Sequence, residues 1–299
     1  MKKILKENSV FSMTKENKWV ETANDGDIVI FETFDCYRNQ ICSENQERSS
    51  INPKFGNPAT GPLYVEGAAV SDILKIEILD IRVAEEGTMR VRPNVGALGE
   101  VVTHDEIKKI PIKDGKAIFN EKIEIPINPM IGVIGTAPAE GEIHNMVPDY
   151  HGGNMDCNRI VKGSVLYLPV NVEGALLSIG DLHAVMGDGE VAICGLEIPG
   201  EVEVKINVLK GKRMPLPMLI QGEHIMTIAS AKTLDEASKM ATYNMHKFMI
   251  ENLNMNCNEA AMLLSLVGNL RICQIVDPLK TVRMEMPISI LEKYNFNYA

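Results

Sequence analysis

Gly174-Ala175-Leu176-Leu177-Ser178-Ile179-Gly180-Asp181-Leu182-His183 carries a nearly continuous apolar run that ends on two ionisable side chains. The run from Ala175 to Ile179 is too short for a helix and is bounded by glycines, so it predicts a strand buried on both faces. Ile131 to Ile134 and Val165 to Val170 read the same way, and the glycine-dense middle, 130–199, is therefore expected to hold several fully covered strands.

Outward from this middle the signals stay β. Asp27 to Thr33 is a β-branched run after the turn Asn24-Asp25-Gly26, and its end delivers Asp35 and Cys36 to a strand terminus. Leu74 to Ile81 largely alternates apolar with polar residues, and Lys116 to Ile125 predicts a strand pair after Asp114-Gly115. Val191 to Cys194 and Val202 to Val208 predict a meander around Pro199-Gly200. Helix signals come late. Thr233-Leu234-Asp235-Glu236 is a capping box ahead of Leu234, Ala237, Ala241, Met245, Phe248 and Met249 at helical spacing. Asn256 repeats the cap pattern before Ala260 to Val267, with Gly268 as the stop. The fold class expected is mainly β with a few helices concentrated near the C-terminus. No repeat or linker interrupts residues 1–299, so one composite unit is expected, with a helical segment 231–268 packed on the β core.

Composition narrows the function. The net charge of −10, with no cluster of Lys and Arg among aromatics, argues against nucleic acid. Lys2, Lys3 and Lys6 are not followed by an apolar stretch, and no window approaches a membrane span, so neither a secretory signal nor a membrane partner is expected. Six scattered cysteines without a C-x-x-C pair suit reduced thiols in the cytoplasm.

Two segments concentrate chemistry. In His151-Gly152-Gly153-Asn154-Met155-Asp156 the glycines permit close backbone approach, while an imidazole, an amide and a carboxylate stand within six residues. The plain alternative is a glycine turn in which Asn154 and Asp156 serve their own backbone. In Asp181-Leu182-His183 and Asp188-Gly189-Glu190 the ionisable residues lie two apart, on one face of an extended chain. A solvated hairpin accounts for Asp188, and a core histidine satisfied by Asp181 competes for His183. A set of His151, Asp156, His183 and Glu190, with Asp35, can bind zinc with an open position, or a harder cation if carboxylates dominate.

The blocks Gly132-Val133-Ile134-Gly135, Ala137-Pro138-Ala139-Glu140-Gly141, His151 to Asp156, Leu166 to Val170, Gly174 to Ala184 and Gly187-Asp188-Gly189-Glu190 resemble the acetamidase/formamidase family. The likeness continues through Glu223-His224, Leu263-Leu264-Ser265 and Gln274 to Pro278, in order from about Asp35. It implies hydrolysis of formamide- or acetamide-like substrates to carboxylate and ammonia, a β-sandwich-like architecture, frequent oligomers and a divalent metal, zinc ahead of calcium. The ligands it suggests are Asp35, Asp156 and His183, with His151 as a fourth or supporting group. Asn154 joins the site, and Glu140 or Glu190 carries the proton. A cysteine nucleophile is the enzymatic alternative, and a non-catalytic β protein that binds small molecules is the other. The apolar faces of the late helices and Met284, Met286 and Ile288 beyond them predict a homo-oligomer, most simply a two-fold dimer.

Overall fold

The computed structural model describes residues 2–294 and Phe296. The run that decides the fold becomes strand Leu177–His183, and all seven of its residues are buried. Ala175 and Leu176 precede it in left-handed backbone, at φ 58° and 56°, so they turn the chain into the strand instead of joining it. Strand Met130–Gly135 is likewise buried throughout and pairs antiparallel with it, Val133 opposite Gly180.

These two strands form the middle of a six-stranded sheet. Its order runs Gly152–Asn154, Met130–Gly135, Leu177–His183, Ala59–Val65 and Ser9–Val10, with Glu21–Ala23 parallel to Ala59–Val65. A nine-stranded sheet lies against it: Lys2–Ile4, Ile28–Thr33, Gly200–Leu209, Ile73–Val83, Val165–Pro169, Met218–Gln221, His224–Ala231, Lys280–Pro287 and Asn269–Gln274. Leu63, Ile131, Ile134, Leu177 and Ile179 of the smaller sheet share one apolar cluster with Val29, Phe31, Leu74, Ile76, Val204 and Ile206 of the larger. That shared core makes the architecture a sandwich, and it explains why the alternating strands bury one set of positions. A four-stranded sheet, from Glu86–Val91 through Glu106–Lys113 and Lys116–Asn120 to Ile123–Pro126, stands beside it.

Helix α1 (Leu234–Leu253) begins at the Thr233 capping box, with both reciprocal hydrogen bonds made. Its stripe of Ala237, Ala241, Met245 and Phe248 is buried on strands His224–Ala231 and Lys280–Pro287. Helix α2 (Cys257–Val267) starts at Asn256, whose side chain accepts from the Asn258 and Glu259 amides. Gly268 ends α2 without left-handed backbone: a Cβ there would lie 2.7 Å from the Leu264 carbonyl oxygen, so close packing selects the glycine. No helix among the described residues is long and apolar enough to cross a membrane.

A second sequence expectation fails in detail. Val191 to Cys194 is not a strand. The Ile193 amide donates to the Glu190 carbonyl and Ile193 sits at φ 71°, so this apolar stretch is a turn.

Phe31 is fully buried where the two sheets meet. Phe31→Ala is expected to lower unfolding free energy by about 3–5 kcal/mol, read from urea denaturation. A loss under about 1 kcal/mol would mean the sheets do not form one core there.

Candidate active site

Neighbouring strands bring polar groups to one place. Strand Gly152–Asn154 ends on Asn154 and leads to Asp156; strand Leu177–His183 ends on Asp181 and His183. Between them, strand Met130–Gly135 contributes a missing side chain. A Cβ on Gly132 would lie 2.5 Å from Asp156 Oδ1 and 2.7 Å from Asp181 Oδ2, so the two carboxylates occupy the space any larger residue would need. Glu190 enters after the turn at Gly187, and Glu197 forms a bridge pair opposite His183. Gly195 closes on the other side, where a Cβ would stand 2.6 Å from His183 Cγ.

Three of these acids sit in left-handed backbone: Asp156 at φ 41°, Asp181 at 55° and Glu190 at 47°. Non-glycine residues seldom adopt that region, at a cost on the order of 1 kcal/mol each. Such strain persists where the surroundings fix it, and it marks functional sites more often than structural ones.

Side-chain atoms of Asp156, His183 and Glu190 all lie within 4.8 Å of one another, and all three residues are buried. His183 Nε2 is 3.0 Å from Glu197 Oε1 and 3.5 Å from Asp181 Oδ1. These are ion-pair distances, yet the atoms are not aligned as hydrogen bonds. Both His183 nitrogens, both Asp156 oxygens, Glu190 Oε2 and Glu197 Oε2 lack a hydrogen-bond partner among the described residues. Buried polar atoms are nearly always satisfied, so a convergent set left open is suited to an ion or ligand. Imidazole and carboxylate donors form a set that zinc accepts.

The electrostatics follow from this crowding. Burial, with Asp181 alongside and His183 opposing, pushes Glu197 up to about 8. Burial and neighbouring carboxylates hold Asp156, Glu190 and Asp277 well above the usual carboxyl range. His183 is opposed by burial, but Glu197 and Asp181 outweigh it and keep its proton bound well above the ordinary value. A cavity of about 450 Å³ opens onto this floor, lined there by Asn154, Asp181, Glu190, Glu197 and Asp277.

The sequence-derived residues divide accordingly. Asp156, His183, Glu190 and Asn154 come together. Asp35 is buried in a turn, where its Oδ1 accepts from the Tyr37 and Asn39 amides. Its carboxyl is pushed up to about 6 by burial. His151 is fully buried beside Gly153, both ring nitrogens without a partner among the described residues; burial lowers its pKa to about 4 and keeps it neutral. Neither joins the Asp156 group. Glu140 is exposed at a bend. Glu197 and Asp277 were given no role by the sequence, although Asp277 lies in the block Gln274 to Pro278. Glu197 had one local signal, a charge enclosed by Leu196 and Ile198. Asp277 arrives from beyond the helices, and its buried carboxylate accepts from Asn154 Nδ2 at 2.9 Å.

The model of the "Acetamidase/Formamidase family" matches residues 12–147 and 142–293. The chain belongs to the acetamidase/formamidase family. It is an amidohydrolase. An acetamidase from Bacillus halodurans is 49% identical, with a TM-score of 0.97 over 98% of this chain and 100% of that one. A recombinant predicted acetamidase/formamidase from Thermoanaerobacter tengcongensis is 43% identical, with a TM-score of 0.97 over 99% and 98% of the two chains. A putative formamidase of Schizosaccharomyces pombe is 27% identical over 280 residues, which is 69% of this chain and 68% of that protein.

Stability should report the raised carboxyls of this amidohydrolase. The folded state retains protons on Glu197, up to about 8, that the unfolded chain has already released, so it binds more protons and loses stability as pH rises. His183, also raised, acts in the same direction. His151 opposes only below its ordinary value of 6.5. The chelator-treated protein is therefore expected to melt at progressively lower temperature between about pH 6.5 and 8. A melting temperature that rises across this window would contradict the charge arrangement.

Proposed function

We propose that the chain hydrolyses small linear amides of the formamide and acetamide class, with a divalent ion, zinc ahead of calcium, held by Asp156, His183 and Glu190. The carrying observation is the convergence of these three open, buried donors, of which Glu190 lines the cavity. The imidazole favours zinc, since calcium takes oxygen ligands. When bound, such an ion lowers the pKa of water and polarises a carbonyl.

The chain's own groups supply the rest. Amide hydrolysis forms a C–O bond from water, breaks the C–N bond and must hand a proton to departing ammonia. Asp277 suits that proton transfer, because it lines the cavity, burial and Glu190 hold its carboxyl well above the usual range, and Asn154 Nδ2 fixes its orientation. With Glu190 in the donor set and Glu140 exposed, Asp277 takes the role of proton carrier. Ile51, Pro53, Met146 and Ile193 give the cavity an apolar part of its wall, against which the short acyl group of the amide can pack.

The cysteine alternative is less well supported. Cys36 lines the cavity, but burial, Glu197 and Asp181 push its thiol well above its ordinary value, which disfavours the thiolate that would attack. The free cysteines also agree with a cytoplasmic location.

Asp156→Asn and His183→Ala are each expected to lower ammonia release from formamide and acetamide by at least about a hundredfold, of the size seen when a catalytic group is lost, and to lower metal content with it. Full metal occupancy and near-normal turnover in either variant would remove that residue from the site. Chelation that leaves activity intact while thiol alkylation abolishes it would favour the cysteine.

A second copy of the chain is the proposed occupant of the α2 face. Met262 and Leu266 on α2 are 66% and 80% exposed, and the adjoining strand Asn269–Gln274, an open edge of the larger sheet, exposes Leu270 and Ile272. An open apolar edge is protected by pairing with its two-fold mate. Light scattering at low micromolar concentration is expected to give a multiple of 33.0 kDa; the monomer mass alone would refute the assembly.

A further inference from the structure

Beside the first donor group lies a second. Cys36 Sγ and one carboxylate oxygen each of Asp181 and Glu197 lie within 4.8 Å of one another, and all three residues line the same cavity. Asp181 and Glu197 are 3% and 2% exposed, and Asp181 Oδ1 and Glu197 Oε2 have no hydrogen-bond partner among the described residues. The two groups adjoin, since His183 Nε2 of the first is 3.0 Å from Glu197 Oε1 of the second.

Charge decides what this second group is for. Asp156, Asp181, Glu190, Glu197 and Asp277 crowd one buried space with a single imidazole among them. Two guanidiniums share the cavity wall: Arg90 is committed to Asp105 through two hydrogen bonds of 3.0 and 2.6 Å, and among the described residues neither Arg90 nor Arg92 is ion-paired with the five acids. One divalent ion offsets two charges and leaves Asp181 and Glu197 facing each other with open oxygens. Apart from the His183 imidazole, no cationic side chain among the described residues pairs with them, and buried carboxylate oxygens left without partners are expensive. A second cation between them removes that cost.

We propose that Cys36, Asp181 and Glu197 form a second metal site, making the pocket a two-ion centre, and that its occupant is a thiophilic divalent cation of the zinc class. This builds on the reading of Asp156, His183 and Glu190 as the first metal site. Thiolate is a soft donor that selects zinc over calcium or magnesium. The carboxylates that hold the Cys36 proton in place act in the opposite sense once a cation is present: the metal–sulfur bond forms, and the thiol proton leaves to solvent. Cys36 thus serves as a ligand, which accounts for a buried-edge cysteine in a setting hostile to a nucleophilic thiolate.

The test uses the full chain stripped with chelator and reloaded with cobalt or zinc. Two zinc ions per chain are expected after dialysis. Cobalt should raise a near-ultraviolet thiolate charge-transfer band that Cys36→Ser abolishes while retaining one ion. Bound zinc should also slow alkylation of Cys36 by iodoacetamide, followed by mass spectrometry, at least tenfold. One ion per chain, no Cys36-dependent band and unchanged alkylation would overturn the second site and leave the first standing. No bound metal at all would overturn both. If Cys36→Ser does not fold, the stoichiometry and the alkylation of the unaltered protein decide.

Discussion

The arrangement depends on confining several carboxylates and one imidazole to one buried space beneath a cavity. Like charges at such separations cannot all ionise in a medium of low polarisability. Protons or cations must compensate them, and the raised carboxyls of Asp156, Glu190, Glu197 and Asp277 are the proton answer. Around that demand the local backbone is shaped. Gly132 gives up its side chain to make room, and Asp156, Asp181 and Glu190 adopt left-handed backbone to aim inward. A site whose empty form is electrostatically uncomfortable binds a cation more strongly than a neutral one, because binding removes the repulsion as well as forming bonds.

The sandwich supplies the rigidity this requires. Strands Met130–Gly135 and Leu177–His183 are covered on both faces, so they cannot shift register without moving apolar side chains out of the core. Their register fixes Gly132 near Asp181, and the bridge between His183 and Glu197 fixes the opposite wall. Asp277 comes from the segment joining two strands at the far end of the larger sheet. The smaller sheet therefore holds most of the polar floor, and the larger one contributes the residue that closes it.

Much of this was legible in the sequence. Apolar runs bounded by glycines identified the doubly covered strands, and the cap at Thr233 located α1, because both signals act over a few residues. His183 and Asp156 stood out as polar groups among apolar neighbours. What local reading missed was convergence. Glu197 looks like one acid in a loop until the Leu182–Ile198 and Ala184–Leu196 backbone bonds bring it opposite His183. Asp277 needs 123 residues of separation to meet Asn154. Conversely, His151 shares a segment with Asp156 yet lies apart, because the left-handed glycines Gly152 and Gly153 turn the chain between them.

The same convergence changes the meaning of the composition. A net charge of −10 suggests an acidic surface. Five of the acids behind that excess are buried together, four of them lining one cavity, and do not face solvent as ordinary surface carboxylates do. Their field is focused into a cavity with apolar walls, where it acts on whatever enters and not on distant partners. Cations that can displace the compensating protons are drawn in, and a neutral amide enters without bringing a further charge. Bound cations then allow the carbonyl oxygen to be held. Charge that reads as a bulk property of the chain is, in the folded protein, a local device for selecting what the pocket admits.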